Sequence, residues 1–195
     1  MNKDLLEKGF IPEEICTELP DGFKDIEEIS SSLHKILANN QINNVINEID
    51  QEKEISSLST PQLERAMLLY SYLGHAYMWG KEEVEDIIPR NIAITWHKIS
   101  EKLDRPPILS YASYALNNWS LLDNSKPLTL DNIKILQNFL AGVDEDWFIM
   151  VHVAIEDEAK NILGSLKKYY LDEDKESQYL EGGLISIKKI NEIIN

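Results

Sequence analysis

Residues 60–80 read TPQLERAMLLYSYLGHAYMWG. Thr60 offers an N-cap hydroxyl, and Pro61 falls at the first helical position, where its missing N–H costs nothing. Leu63, Met67, Tyr70, Leu73 and Tyr77 then recur at helical spacing until Gly80 stops the run. The segment predicts one long helix, and the same pattern of apolar residues three and four apart extends outward on both sides.

Toward the N-terminus, Ile26, Ile29, Leu33, Ile36 and Leu37 mark an amphipathic helix, broken near Asn39 and Asn40 and resumed through Ile42, Val45, Ile46 and Ile49. The stretch up to about Gly22, with Pro12 and Pro20, has little periodicity and reads as extended or loop-like. Toward the C-terminus, Pro89 breaks the chain, a short helix spans about Trp96 to Leu103, and Pro106-Pro107 opens another from Ile108 to about Trp119. Thr129 is placed to cap a helix carrying Ile133, Leu136 and Leu140, with Gly142 as its stop. Asp144, Glu145 and Asp146 precede the apolar helix from Trp147 to about Leu163, where acids favour the positive end of a helix dipole. After the polar break Asp172 to Ser177, a last helix aligns Leu180, Leu184, Ile187 and Ile194 on one face. An all-α fold is the expectation.

Composition narrows function. A chain of 195 residues with 43% apolar side chains buries on the order of 70% of its unfolded surface and needs no metal or disulfide staple. Its 34 acidic against 19 basic residues, net −15, speak against nucleic acid and against anionic membranes, since both require clustered Lys and Arg. Cys16 has no partner cysteine, and no apolar stretch is long enough to span a bilayer or act as a signal peptide. A cytoplasmic protein without nucleic-acid or membrane partners is expected.

Four histidines carry the available imidazole chemistry: His34, His75, His97 and His152. No two lie at a metal-ligand spacing, and no P-loop or dinucleotide fingerprint occurs, so no metal site is expected from this chain. His34 and His97 read as boundary or surface residues, and His75 as a packed, hydrogen-bonded one. His152 lies inside FIMVHVAIE on the same helical face as Phe148 and Ile155, so its imidazole needs a polar partner or a ligand; Glu156, four residues on, is the partner within reach. In RPPILSYASYALNNW (residues 105–119), Tyr111, Tyr114 and Ala115 share a face of phenols and a methyl. Such a face suits a flat ligand or ordinary helix packing equally.

Together these strings resemble the indoleamine 2,3-dioxygenase family: AYMWG (76–80), IPRNIAI (88–94), RPPILSYASYALNNW (105–119), NSKPLTLDN (124–132) and DWFIMVHVAIE (146–156), in family order. The resemblance covers most of the chain from about residue 60 onward. It implies a small helical domain over residues 1–140 on the distal side of haem, and over 141–195 the first helices of a larger haem-holding domain. It places Tyr111, Tyr114, Ala115, Phe148 and His152 in the distal pocket where dioxygen and the indole substrate meet, with His152 as the catalytic candidate. Tyr114 stands where animal members carry cysteine, and His152 where they carry serine. A histidine there is similar to the sister family, tryptophan 2,3-dioxygenase, whose distal histidine hydrogen-bonds the indole N–H. The resemblance also implies haem as cofactor, with its proximal histidine in a C-terminal half outside this chain; association with that half, or homo-oligomerisation, is expected. Without that half the enzyme is expected to be inactive. A non-catalytic helical binding module, or a truncated remnant, is the alternative from another class.

Overall fold

The computed structural model describes residues 9–49, 52–171 and 177–194. Residues 1–8 of the N-terminal stretch, and most of the break between Asp172 and Ser177, lie outside the described residues. The first expected helix is split at Ser32 into α1 (Lys24–Ser31) and α2 (Leu33–Ala38), and after the expected break, with Asn40 in a left-handed turn, α3 (Ile42–Glu48) follows. Helix α4 (Thr60–Trp79) is the axis of the molecule. Its cap is Ser59, one residue earlier than expected, in a capping box closed by Gln62, whose Oε1 accepts the Ser59 N–H at 2.9 Å.

Helix α4 is buried all round from Ala66 to Tyr72, with Ser71 its one polar residue there, and it is enclosed by α1, α3 and α5 (Arg90–Leu103). Its Gly74 allows the closest approach: a Cβ there would lie 2.4 Å from the Trp96 ring of α5. Helix α5 starts directly after Pro89, earlier than the Trp96 start read from the sequence, because a proline before the first turn leaves no required N–H missing. A first hydrophobic cluster from Leu19 to Ile99 fills the space around α4.

The segment expected to be a helix from Ile108 to Trp119 instead bends after its prolines, with the Ile108 N–H donating to the Pro106 carbonyl, and forms a single π-helical turn, Ala112–Leu116. Asn118 ends it. Its side-chain amide donates to the Tyr114 and Gln137 carbonyls, and its Oδ1 accepts the Gln137 N–H at 2.8 Å. These bonds offer the backbone a better alternative than another helical turn. The helix expected after Thr129 is likewise absent. A short 3-10 turn (Leu130–Asn132) leads into strand β2 (Ile133–Ile135), which pairs antiparallel with β1 (Trp119–Leu121), setting Trp119 opposite Ile135 and Leu121 opposite Ile133. Asn132 closes this hairpin by accepting the Asp123 N–H and donating to the Asp123 and Pro127 carbonyls. The fold is therefore mostly helical, as expected, with a small two-stranded sheet that helical periodicity does not register.

Helix α6 runs over Val143–Leu171, longer at both ends than its apolar centre suggests, with Asp144, Glu145 and Asp146 in its first turn. The Glu145 carboxylate accepts the Phe139 and Leu140 N–H groups and so ties the approach loop to the helix start. Ala115, Trp119 and Ile133 join Ile149 and Val153 of α6 in a second hydrophobic cluster, and Tyr114 packs against both clusters. Helix α7 (Ser177–Ile194) lies along α6 with Gly183 and Ser186 buried inward, Gly183 near Ser165. The face predicted from periodicity, Leu180, Leu184, Ile187 and Ile194, exists but points outward, each residue 36–61% exposed. No described helix is long and apolar enough to cross a membrane.

Candidate functional site

The π-turn and the first half of α6 meet side by side, and the aromatic residues singled out in the sequence come together there. Tyr72 of α4 stacks on Tyr114 with ring centroids 5.9 Å apart. Tyr114 meets the Phe148 ring edge to face at 6.0 Å, and Phe148 packs on the His152 imidazole at 4.1 Å. Tyr111 closes the row with a T-shaped contact to His152 at 5.8 Å. The row thus runs from the enclosed core outward: Tyr72 is fully buried, whereas Tyr111 and Phe148 are 43% and 49% exposed. Ala115 is fully buried beneath the row, where its small side chain lets the turn sit close to Ile149 and Val153.

Helical spacing explains the α6 contribution. Phe148, His152 and Glu156 are four apart and therefore stacked along one face. The tight turn brings Tyr111 and Tyr114 over that face. His152 Nδ1 lies 2.6 Å from the Phe148 carbonyl oxygen, which can only accept, so Nδ1 carries the proton, and in the neutral imidazole Nε2 is the acceptor. The sequence pairs Glu156 with His152. The structure instead joins Glu156 to Tyr111, whose hydroxyl donates to Glu156 Oε1 at 3.1 Å.

Both phenols resist ionisation. Burial, then the charge and hydrogen bond of Glu145, push the Tyr114 hydroxyl up to about 12. Burial, followed by the Glu156 charge and hydrogen bond, raises Tyr111 as well. Each phenol of the site is therefore a neutral donor committed to a carboxylate. Tyr72 and Glu145, which support the row, escape sequence reading because Tyr72 belongs to an unbroken apolar run and Glu145 looks like an ordinary first-turn acid.

The remaining histidines are placed as their contexts suggest. His75 Nδ1 approaches the Ser71 carbonyl at 2.9 Å and its ring meets Trp96 edge-on, while His34 is half-buried and His97 exposed beside Glu101. Among the described residues, no group of three or more His, Cys, Asp or Glu side chains is arranged to hold a metal ion.

The chain matches the family model for indoleamine 2,3-dioxygenase over residues 5–195. It belongs to the indoleamine 2,3-dioxygenase family. Among curated family members, it is 33% identical over 156 residues to indoleamine 2,3-dioxygenase 1 of Mus musculus, covering 76% of this chain and 37% of that protein. It is 32% identical to the Rattus norvegicus indoleamine 2,3-dioxygenase 1, again over 76% of this chain and 37% of the relative. The Saccharomyces cerevisiae indoleamine 2,3-dioxygenase is 31% identical over 67% of this chain and 30% of its own length. The chain thus spans about 30–37% of the length of these family members.

Proposed function

We propose that this chain forms the distal side of a haem dioxygenase that opens the indole ring of tryptophan, and that it works together with a C-terminal helical portion. Residues 1–140 are the small distal domain in this reading, and 141–195 begin the large one. The observation that carries it is the row itself: two half-exposed aromatic faces, Tyr111 and Phe148, clasp one imidazole whose Nε2 remains an acceptor. The family's name gives the substrate class, and the partial coverage of its members supports a second portion.

These residues fit one face of a haem. Tyr111 and Phe148 offer flat apolar surface, and the carboxylates beside the row are engaged by Tyr111 and by the loop amides. The residue that would hold the iron would come from the complementary portion. Bound haem supplies the dioxygen chemistry, and the protein's part is a shaped, dry enclosure. In it, Phe148 walls the indole, Tyr114 backs Phe148, and His152 Nε2 accepts the indole N–H without placing a charge in the wall. The exposed apolar face of α7 is where the C-terminal portion, or failing that a second copy of the chain, docks. The lone Cys16 suits a reducing, cytoplasmic setting.

The test is spectroscopic. Haem is titrated into the chain, alone and together with the C-terminal portion of a family member. A sharp Soret band that shifts on adding tryptophan, seen only with both portions, is expected. His152→Ala keeps the band and weakens the tryptophan-induced shift by about tenfold or more. An assembled pair with no haem spectrum, or a His152→Ala variant binding tryptophan as well as the parent, overturns the reading.

A further inference from the structure

Resting on the indole-site reading above, we infer that Glu156, acting through Tyr111, is a positioning residue that holds His152 in one tautomer and makes the site selective for ligands that offer an N–H donor. Three contacts meet at the imidazole. Its Nδ1–H donates to the Phe148 carbonyl, one face packs on the Phe148 ring at 4.1 Å, and Tyr111 abuts it at 5.8 Å with the two planes 73° apart. The first two come from His152's own helix and hold only while the imidazole keeps its rotamer. Tyr111 is the one that comes from another element. It closes the open flank, and it is held there by its hydroxyl, which donates to Glu156 one helical turn beyond His152.

The arrangement has a chemical consequence. A neutral imidazole has one donor and one acceptor, and whichever nitrogen is engaged fixes the role of the other. With Nδ1–H committed to a carbonyl, Nε2 can only accept. The nearest hydroxyl is no substitute donor to a ligand, because the Tyr111 proton is committed to Glu156. An indole-type N–H meets an acceptor here. An isostere methylated at nitrogen, or carrying oxygen there, leaves Nε2 unpaired in an aromatic wall, which is the discrimination that buried polar recognition groups enforce most strongly. If the latch is released, the imidazole can rotate away from the Phe148 carbonyl, the second tautomer becomes populated, and Nε2 presents a proton that repels the ligand's own.

The experiment uses the chain labelled with 15N-histidine. Imidazole nitrogen shifts of His152 report the tautomer directly, without haem or activity. In the parent a single tautomer, protonated at Nδ1, is expected. Tyr111→Phe, which keeps the ring but removes the hydroxyl, and Glu156→Ala both give a mixture, whereas Glu156→Gln, whose side-chain oxygen still accepts, restores the single form. These positions are partly exposed, and a thermal melt of each variant checks that the fold is retained. The same variants, assembled with haem and the C-terminal portion of a family member, are then titrated with indole and with 1-methylindole. The parent and Glu156→Gln prefer indole by about tenfold, and the two released variants lose that preference. An unchanged tautomer in Tyr111→Phe and Glu156→Ala overturns the latch. Equal binding of the two probes by the parent overturns the selectivity. If neither probe binds while the tautomers behave as expected, the latch stands and the indole-site reading fails.

Discussion

Helices α4 and α7 carry similar apolar content but opposite surroundings. Helix α4 is wrapped by three other helices, so Leu68, Leu69 and Leu73 are fully buried whichever way they face. Helix α7 buries Gly183 and Ser186 against its neighbour, whereas Leu180, Leu184, Ile185, Ile187 and Ile194 face outward. The comparison teaches that an apolar stripe identifies a face needing cover, not the partner that covers it. Small residues let α7 approach α6 closely, and its larger apolar side chains are left for another surface.

Five substitutions break or sharpen that contrast. Leu69→Ala empties space at the centre of α4 and is expected to cost about 2–5 kcal/mol in chemical denaturation. Gly74→Ala places a methyl against the Trp96 ring and costs about 1–3 kcal/mol despite the better helix propensity of alanine, seen as a lower melting temperature. Ser59→Ala removes the capping box of α4 and costs about 1 kcal/mol by the same measurement.

Glu64 on α4 tests the electrostatics of the enclosed helix. Burial raises its carboxyl pKa, against the opposing pull of the Arg105 guanidinium with which it pairs. The folded state therefore holds the proton more tightly than the unfolded chain does. Glu64's contribution to stability is fully present in acid and is lost as pH rises through the folded pKa. Glu64→Gln should show a smaller decline, so that its stability relative to the parent improves from acidic toward neutral pH in denaturation midpoints. The smallest effect belongs to α7. Leu184→Ala, the same chemical change as Leu69→Ala, shifts the stability of the isolated chain by no more than about 0.5 kcal/mol. A loss comparable to that at Leu69 would mean that α7 is already covered and would end the comparison.

The candidate site divides along the same line. Phe148, His152 and Glu156 share a face because a helix repeats every 3.6 residues, so their alignment is legible in DWFIMVHVAIE. Tyr111 and Tyr114 can also be placed together from their spacing. That Tyr111 rather than His152 holds Glu156, and that Tyr72 stands behind Tyr114, depends on elements far apart in the chain. The misread stretch after Thr129 has the same cause: Ile133 and Ile135 fit a helix face as well as a strand, and only their pairing with Trp119 and Leu121 distinguishes the two.

Local chemistry alone thus determined the helical character of this protein, the α4 capping segment to within one residue, the acid-rich start of α6 and the shared face of Phe148, His152 and Glu156, because each depends on neighbours within about one helical turn. Tertiary structure alone decided the hairpin, the π-turn, the outward face of α7 and the joining of Glu156 to Tyr111. Those features depend on which distant backbone or side chain supplies the missing hydrogen bond or cover, and residues close in sequence carry no record of that choice.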